Sequence, residues 1–308
     1  MLLIAEEAAG VQLLRALKRL DHRVVAVVAS AAKPARAAAM VWAVADALGY
    51  PRWDTGVVQD PSLADTVRAH DVHIVLNVHS LAVIPAAVLG AARYGGYNLH
   101  PGPLPRYAGL NAVSWALYRG EPTHGVTVHR MESAIDAGPI AYQESFPIEV
   151  SDTALTVSAR CVTIGVRLML RLLETISRDP SLVPAHKQDL SQREYFGREV
   201  PCHGQLTWAQ PAACAIDFVR ACDYYPLPSP WGHPRTYSGG GEIGIVKASS
   251  TGVATDAPPG TVGDIVGTGV RVACEDEWIS IAKVLVHGRY EDAADVLRSE
   301  IRLHDGQA

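Results

Sequence analysis

Short apolar runs and helical spacing alternate along the first part of the chain. Residues 2–4 and 24–28 are continuous apolar runs, which are typical of strands buried on both faces of a sheet. Between them, Val11, Leu14 and Leu17 recur at the spacing of one helix face. A strand, an amphipathic helix and a buried strand in this order predict the start of a parallel α/β sheet.

The same alternation continues to about residue 180. The pattern predicts further helices over residues 40–48, 62–70, 110–118 and 153–177. It predicts further strands over residues 73–78, 97–100, 126–131 and 140–148. The fold class that follows is α/β, with a Rossmann-like domain over residues 1–180.

The last third of the chain has a different pattern. Residues 181–203 are polar and irregular, which indicates a linker. From residue 204 onward, one helix is followed by short β-like runs that glycines and prolines separate. Residues 204–308 are therefore predicted to form a smaller β-rich domain that resembles an OB-type barrel.

Composition narrows the classes of protein that the chain can be. The 308 residues are 48% hydrophobic and 19% charged, with a formal net charge of −5. A negative chain is poorly suited to a partner held by phosphate contacts, so we expect no nucleic acid partner. The apolar stretch 72–89 is interrupted by His73, Asn77 and Pro85, and the N-terminus lacks the basic region of a signal peptide. We expect no membrane insertion and a cytoplasmic location.

Cysteine usage and missing motifs exclude several chemistries. The five cysteines contain no CxxC pair, which argues against a disulfide framework or a four-ligand zinc site. The segment after the first strand has a single glycine, Gly10, where a dinucleotide-binding fingerprint needs three. The P-loop and the GxSxG nucleophile motif are also missing from the sequence. Nicotinamide chemistry and a bound metal are therefore not expected.

The densest group of chemically active side chains lies between residues 98 and 138. Asn98 and His100 are two residues apart near the end of a predicted strand, so their side chains point to the same side. Ligand sites of open α/β sheets lie at such strand ends. Asp136 follows in a turn between two later strands. Each residue alone also has an ordinary explanation: a turn cap for Asn98, a buried spacer for His100 and a turn residue for Asp136.

The order and spacing of these residues carry a resemblance to a known family. Residues 98–140, NLHPGPLPRYAGLNAVSWALYRGEPTHGVTVHRMESAIDAGPI, resemble the core signature of the 10-formyltetrahydrofolate-dependent formyltransferases. That signature runs N-x-H-P-S-L-L-P-x-x-x-G, then G-[VC]-T-[VI], then D-[TA]-G. Gly102 and Pro103 stand where the family has Ser and Leu. Residues 207–247 and 258–302 resemble the C-terminal domain of methionyl-tRNA and amino-sugar formyltransferases.

The resemblance implies an enzyme that transfers a formyl group from N10-formyltetrahydrofolate to an amine. It assigns catalytic roles to Asn98, His100 and Asp136. The transfer passes through a tetrahedral intermediate whose oxyanion needs prearranged donors, which the Asn98 amide and the His100 imidazole can supply. The Asp136 carboxylate can move the proton between the two nitrogens. His129 is either an auxiliary hydrogen-bonding partner of Asp136 or an ordinary strand histidine.

By the same resemblance, the folate lies in an apolar slot between the loop at residues 80–85 and the loop that precedes Gly138. The residues expected to bind this formyl donor are Ser80, Leu81, Val83, Leu104, Ile135 and Gly138.

The acceptor amine stays open at this point. A small molecule is favoured, with an amino sugar nucleotide as the first candidate. The alternatives are methionyl-tRNA, an N-hydroxylated amino acid or a carrier-bound amine, hydrolysis of the formyl donor, and a non-catalytic folate-binding protein. The tRNA formylases have a long basic segment after the second strand, whereas residues 30–39 are short and contain two cations, Lys33 and Arg36. A homodimer is compatible with the sequence.

Overall fold

The first two apolar runs form neighbouring strands of one sheet. The computed structural model describes residues 1–31, 38–299 and 301–306. Strand β1 (Leu2–Ala5) pairs in parallel with β2 (Ala26–Ala29), and every residue of both strands is buried. Helix α1 (Glu7–Arg19) connects them and buries one apolar face, which includes Leu13 and Leu17. The predicted α/β beginning of the chain is confirmed.

Seven strands make up this first sheet. The strands that follow β2 are β3 (Arg52–Asp54), β4 (Val75–Val78), β5 (Gly96–His100), β6 (Ala108–Gly109), β7 (Thr123–Arg130), β8 (Ile140–Pro147) and β9 (Tyr195–Phe196). The helices that follow α1 are α2 (Ala38–Ala47), α3 (Leu63–Ala69), α4 (Ala86–Ala91), α5 (Ala112–Tyr118) and α6 (Ala154–Arg178). The strand order is β3-β2-β1-β4-β5-β7-β8, while β6 and β9 pair separately. The strands from β3 to β5 in this order are parallel, as in Rossmann-like folds.

The change from parallel to antiparallel pairing sets the position of the chemically active residues. Strand β5 is parallel to β4 on one side and antiparallel to β7 on the other. In this register Asn98 is the direct neighbour of Asn77 on β4 and of His129 on β7. Directly paired residues of neighbouring strands project to the same face of a sheet. The register therefore places three polar side chains in one row near the carboxyl ends of β4 and β5.

The last third of the chain forms an antiparallel sheet of six strands. Its strands are β10 (Arg235–Ser238), β11 (Gly241–Ala254), β12 (Val262–Val266), β13 (Gly269–Ala273), β14 (Glu277–Val286) and β15 (Arg289–Asp292). The helices of this part are α7 (Ala212–Cys222) and α8 (Ala293–Val296). The strand order is β10-β11-β14-β13-β12, and β15 pairs with β14. The expected β-rich C-terminal region is confirmed.

The described chain divides into two compact units that a single cut in the sequence does not separate. The first unit comprises Met1–Gly109, Gly125–Phe146 and Ala159–Tyr195. The second comprises Leu110–His124, Pro147–Ser158 and the chain from Phe196 onward. The domain boundaries expected from the sequence, at residues 180 and 204, stay a prediction.

Candidate functional site

Asn98 and His100 lie at the end of β5, where the chain leaves the sheet for the loop that begins at Pro101. The Asn98 amide donates a hydrogen bond to His129 Nε2 over 3.1 Å. His129 Nδ1 lies 3.0 Å from the carbonyl oxygen of Arg130. Because a carbonyl can only accept, Nδ1 carries the imidazole proton and Nε2 is free to accept from Asn98. This pair of contacts fixes the orientation of the Asn98 amide.

Asp136 brings its carboxylate to both histidines. Its Oδ1 lies 3.3 Å from His129 Nε2 and 3.4 Å from the Asn98 amide nitrogen. Its Oδ2 lies 3.5 Å from His100 Nδ1 and accepts a hydrogen bond from the Gly109 backbone N–H over 2.9 Å. Asn98, His100, His129 and Asp136, which the sequence only suggests as a group, are therefore adjacent in the fold.

A carbonyl in the following loop fixes the His100 ring. His100 Nε2 lies 2.6 Å from the backbone oxygen of Tyr107, so Nε2 carries the proton and Nδ1 presents its lone pair toward Asp136. Both residues are buried, and Tyr107 has a positive φ of 55°. His100 is thus held to this loop through Nε2, while Nδ1 lies 3.5 Å from the carboxylate and can pair with it when the ring is protonated.

Thr127 and Gln143 hold the loop between Pro101 and Tyr107. The Thr127 hydroxyl donates to the carbonyl of Gly102 over 2.7 Å and accepts from the Leu104 N–H over 3.2 Å. The Gln143 amide donates to the Leu104 carbonyl over 2.9 Å and to the Thr127 hydroxyl over 2.8 Å. Thr127 belongs to the G-V-T-V motif at residues 125–128, so the sequence contained a signal for its importance. No motif in the sequence pointed to Gln143.

Burial and hydrogen bonding determine the charge state of this group. Burial alone would raise the pKa of the Asp136 carboxyl, but the neighbouring His100 and His129 imidazoles and the Gly109 N–H together hold that pKa well below its ordinary value. Burial lowers the pKa of His100, and the Asp136 carboxylate only partly opposes the shift. At neutral pH the site therefore contains an ionised carboxylate beside a neutral His100 imidazole.

The side chains expected to line the folate slot differ in exposure. Leu81, Val83 and Ile135 are 77%, 60% and 47% exposed, so they present apolar surface that a planar ligand could cover. Leu104 is 3% exposed, and its backbone is hydrogen-bonded to the Thr127 and Gln143 side chains. Ser80 accepts a hydrogen bond from the Ala82 N–H over 3.2 Å. Whether these residues bind the donor stays a prediction.

Gly138 is required by the path of the backbone. A Cβ atom at this position would lie 2.0 Å from the carbonyl oxygen of Arg130, far inside van der Waals contact. The Arg130 N–H also donates to the carbonyl of Pro139 over 2.9 Å. The absence of a side chain at Gly138 thus lets the turn that carries Asp136 pack directly against the end of β7.

Two residues of the expected linker reach the Asp136 turn. The Gln188 amide donates to the carbonyl oxygens of Asp136 and Gly138 over 2.9 Å and 2.7 Å. Arg193 donates to the carbonyl of Ile135 over 3.0 Å. Sequence reasoning missed both residues, because a polar, irregular segment carries no periodicity that would show where it packs.

No cluster of three or more His, Cys, Asp or Glu side chains suited to a metal ion occurs in the part of the chain that the structure describes. Within the same residues, no helix is long and apolar enough to cross a membrane. The five cysteines are free thiols.

In this mostly parallel sheet, Asn98 and His100 at the end of β5 meet His129 on the antiparallel β7 and Asp136 in the turn that follows it, a grouping typical of ligand sites in α/β proteins. The family model described as "Formyl transferase" matches residues 2–173, and "Formyl transferase, C-terminal domain" matches residues 200–300. The chain belongs to the formyl transferase family. The resemblance drawn from residues 98–140 is thereby confirmed.

Solved structures share this fold. HypX from Aquifex aeolicus, in complex with tetrahydrofolic acid, aligns with 96% of this chain and 46% of its own length, at 17% identity and a TM-score of 0.68. This chain thus spans about half the length of HypX. An N-formyltransferase from Helicobacter canadensis, in complex with folinic acid and dTDP-3-aminofucose, aligns over 91% of this chain and 97% of its own, at 16% identity and a TM-score of 0.67.

A sugar formyltransferase aligns over a similar part of the chain. WlaRD, a sugar 3N-formyl transferase in the presence of dTDP and 5-N-formyl-THF, aligns over 91% of this chain and 96% of its own. The identity is 16% and the TM-score 0.68. Identities at this level establish a shared fold and leave the substrate of this chain to be determined.

Proposed function

We propose that the protein transfers the formyl group of N10-formyltetrahydrofolate to the primary amine of a small molecule. The observation that carries the proposal is the convergence of Asn98, His100, His129 and Asp136 at the carboxyl end of β5. An ionised, buried carboxylate beside amide and imidazole groups suits a reaction in which positive charge develops on one atom and negative charge on its neighbour.

The reaction forms one bond to the formyl carbon and breaks another. The acceptor nitrogen attacks that carbon, and the carbonyl oxygen becomes an oxyanion while the nitrogen becomes cationic. The proton then leaves the acceptor nitrogen, and the bond between the formyl carbon and N10 breaks as N10 gains a proton. The products are the formamide of the acceptor and tetrahydrofolate.

The geometry suggests a division of roles among the four side chains. The Asn98 amide is the least buried donor, and exchanging its long 3.4 Å contact with Asp136 for the formyl oxygen would stabilise the oxyanion. Asp136 faces the developing ammonium and moves its proton to N10. His100 donates a hydrogen bond from its Nε2–H to the Tyr107 carbonyl, so this N–H is not available to the oxyanion. We therefore assign His100 to the Asp136 carboxylate, which faces its other ring nitrogen. His129 orients Asn98.

The exposed apolar side chains support a folate slot next to these groups. Leu81, Val83 and Ile135 are large hydrophobic residues that stay exposed on two of the loops around the site. Burying such surface under a pterin ring is favourable, at roughly 25 cal/mol per Å² of apolar area. The proposed donor site therefore comprises these side chains with Ser80, the backbone at Leu104 and Gly138.

An amino sugar nucleotide is the first candidate acceptor. Two structural neighbours were solved with dTDP-3-aminofucose or dTDP, which supports this class. Methionyl-tRNA is the alternative, and the net charge of −5 disfavours it because tRNA binding relies on many phosphate contacts. The segment at residues 30–39 used in that comparison lies mostly outside the described residues, which exclude 32–37.

The five free thiols support a cytoplasmic location, and a homodimer stays a proposal.

The test compares acceptors at a fixed concentration of N10-formyltetrahydrofolate. Tetrahydrofolate release is measured with a panel of amino sugar nucleotides, free amines and methionyl initiator tRNA. We expect turnover with an amino sugar nucleotide or a related small amine. Formylation of the tRNA alone, falling steeply as salt rises, would reject the small-molecule acceptor. Donor hydrolysis at the same rate with and without every amine would reject amine transfer.

A further inference from the structure

The segment between His186 and Glu194 lies beside two parts of the site: the end of the loop that contains Tyr107, and the turn that carries Asp136. The His186 backbone exchanges two hydrogen bonds with Ile140, over 2.8 Å and 2.9 Å. The Glu194 carbonyl accepts from the Ala108 N–H over 2.9 Å. Between these two anchors lie Gln188 and Arg193, whose side chains bind the Asp136 turn. The segment expected to be a linker is thus bound to the first unit at every few residues.

Gln188 is built into the interior at this point. Its side chain is buried, with the residue 6% exposed, and its amide nitrogen donates to the carbonyls of Asp136 and Gly138. Only the NH₂ end of a glutamine amide can donate, so two carbonyl partners determine the orientation of the group. No single hydroxyl or apolar side chain could supply two donors at that place.

The turn that Gln188 binds is conformationally constrained. Asp136 has a positive φ of 55°, a left-handed conformation that is uncommon for a residue with a Cβ atom. Such a conformation persists where surrounding contacts overdetermine it. Here the carbonyl of Ile135 is held by Arg193, and the carbonyls of Asp136 and Gly138 are held by Gln188. Every carbonyl from 135 to 138 except that of Ala137 therefore has a partner from this segment.

We propose that Gln188 is a positioning residue for the reaction: it holds the Asp136 backbone so that the carboxylate lies between His100, His129 and the Gly109 N–H. The proposal rests on the proposed catalytic role of Asp136. Without the two donors, the turn loses the contacts that favour its left-handed residue, and the carboxylate moves relative to both imidazoles. Arg193 assists through the neighbouring carbonyl.

The charged and titratable groups around Asp136 determine what the proposal predicts. His100 approaches from β5 and His129 from β7, at 3.5 Å and 3.3 Å, while the Arg193 guanidinium binds the adjacent Ile135 carbonyl. Burial lowers the pKa of His100, the Asp136 carboxylate and the hydrogen bond to the Tyr107 carbonyl raise it, and His129 and His79 lower it further. A displaced carboxylate supports the imidazolium less, so the titration midpoint of His100 must fall to lower pH.

The experiment uses the full chain with Gln188→Met, which conserves side-chain volume and removes both donors, and Gln192→Ala as the matched control. Gln192 lies on the same segment, and within the described residues its exposed side chain binds the Asp189 carboxylate over 2.9 Å and contacts neither loop of the site. Histidine ring nitrogens are labelled with ¹⁵N and titrated by NMR, which reports on His100 in the absence of any acceptor. Turnover is measured with N10-formyltetrahydrofolate and the amine that the acceptor screen selects.

For Gln188→Met we expect a lower titration midpoint for His100, and a kcat reduced by about ten- to a hundredfold with little change in the KM for the donor. Gln192→Ala should match the parent in both. A lower Tm with an unchanged His100 titration and unchanged kcat would show a merely structural role and overturn the proposal. If Gln188→Met does not fold, Arg193→Ala decides: a smaller shift of His100 in the same direction supports the proposal, and no shift overturns it. The NMR result stands even if no acceptor is found, so it is separable from failure of the proposed function.

Discussion

Replacing Asp136 by Asn removes one charge and leaves the shape of the site. The side chain is buried, and its Oδ2 accepts from the Gly109 N–H, a contact that the asparagine oxygen can keep. What disappears is the negative charge 3.5 Å from His100 Nδ1 and 3.3 Å from His129 Nε2. The substitution therefore removes the charge and the proton acceptor together while keeping the volume of the side chain.

The expected loss in turnover follows from the position of that charge. Removing one prearranged group that stabilises charge in a transition state costs roughly a hundred- to a thousandfold in kcat, or about 3–4 kcal/mol. The amide also cannot accept a proton, so we expect Asp136→Asn to lie at the upper end of this range. Donor binding should change little, because Asn has nearly the same shape as Asp and the exposed apolar side chains of Leu81, Val83 and Ile135, expected to contact the folate, stay unchanged.

The assay measures steady-state tetrahydrofolate release, which gives kcat, together with donor affinity by equilibrium binding. Asp65→Asn is the matched control, since Asp65 is exposed on α3 and, among the described residues, pairs with Arg68. Asp136→Asn with a kcat within threefold of the parent would refute the assigned role of the carboxylate. A large loss of donor affinity with an unchanged kcat would place Asp136 in binding and also contradict the reasoning.

Three further predictions concern stability. Gly138→Ala should lower both Tm and kcat, because the added Cβ meets the Arg130 carbonyl at 2.0 Å, whereas Gly90→Ala, with open space around it, should do neither. Thr127→Val should cost about 1–3 kcal/mol of unfolding free energy in urea titrations, since it leaves the Gly102 carbonyl and the Leu104 N–H without their buried partner; an unchanged midpoint would contradict this. Because burial lowers the pKa of His100 in the folded protein, the unfolded chain takes up the His100 proton at a higher pH than the folded protein does. The free energy of unfolding, measured in urea titrations, should therefore fall as pH drops below about 6.5, and His100→Gln should reduce that fall.

The order of strands and helices could be predicted from the chain alone. Continuous apolar runs indicate strands buried on both faces, as found in β1 and β2, and helical spacing indicates the helices between them. The two-residue period of a strand places Asn98 and His100 on one face, and the motif from residue 98 to 140 indicates the family before any coordinates are considered. These are local properties, which neighbouring residues in the sequence determine.

The partners of the site residues were decided only by the tertiary structure. His129 faces Asn98 because β7 runs antiparallel to β5 in one particular register, and a shift of one residue would turn it to the other face. The Tyr107 carbonyl that fixes His100 belongs to an irregular loop, and Gln188 binds Asp136 across 52 positions of sequence. Contacts of this kind depend on how distant segments pack and on which backbone groups remain to be satisfied, and no periodicity within either segment encodes them.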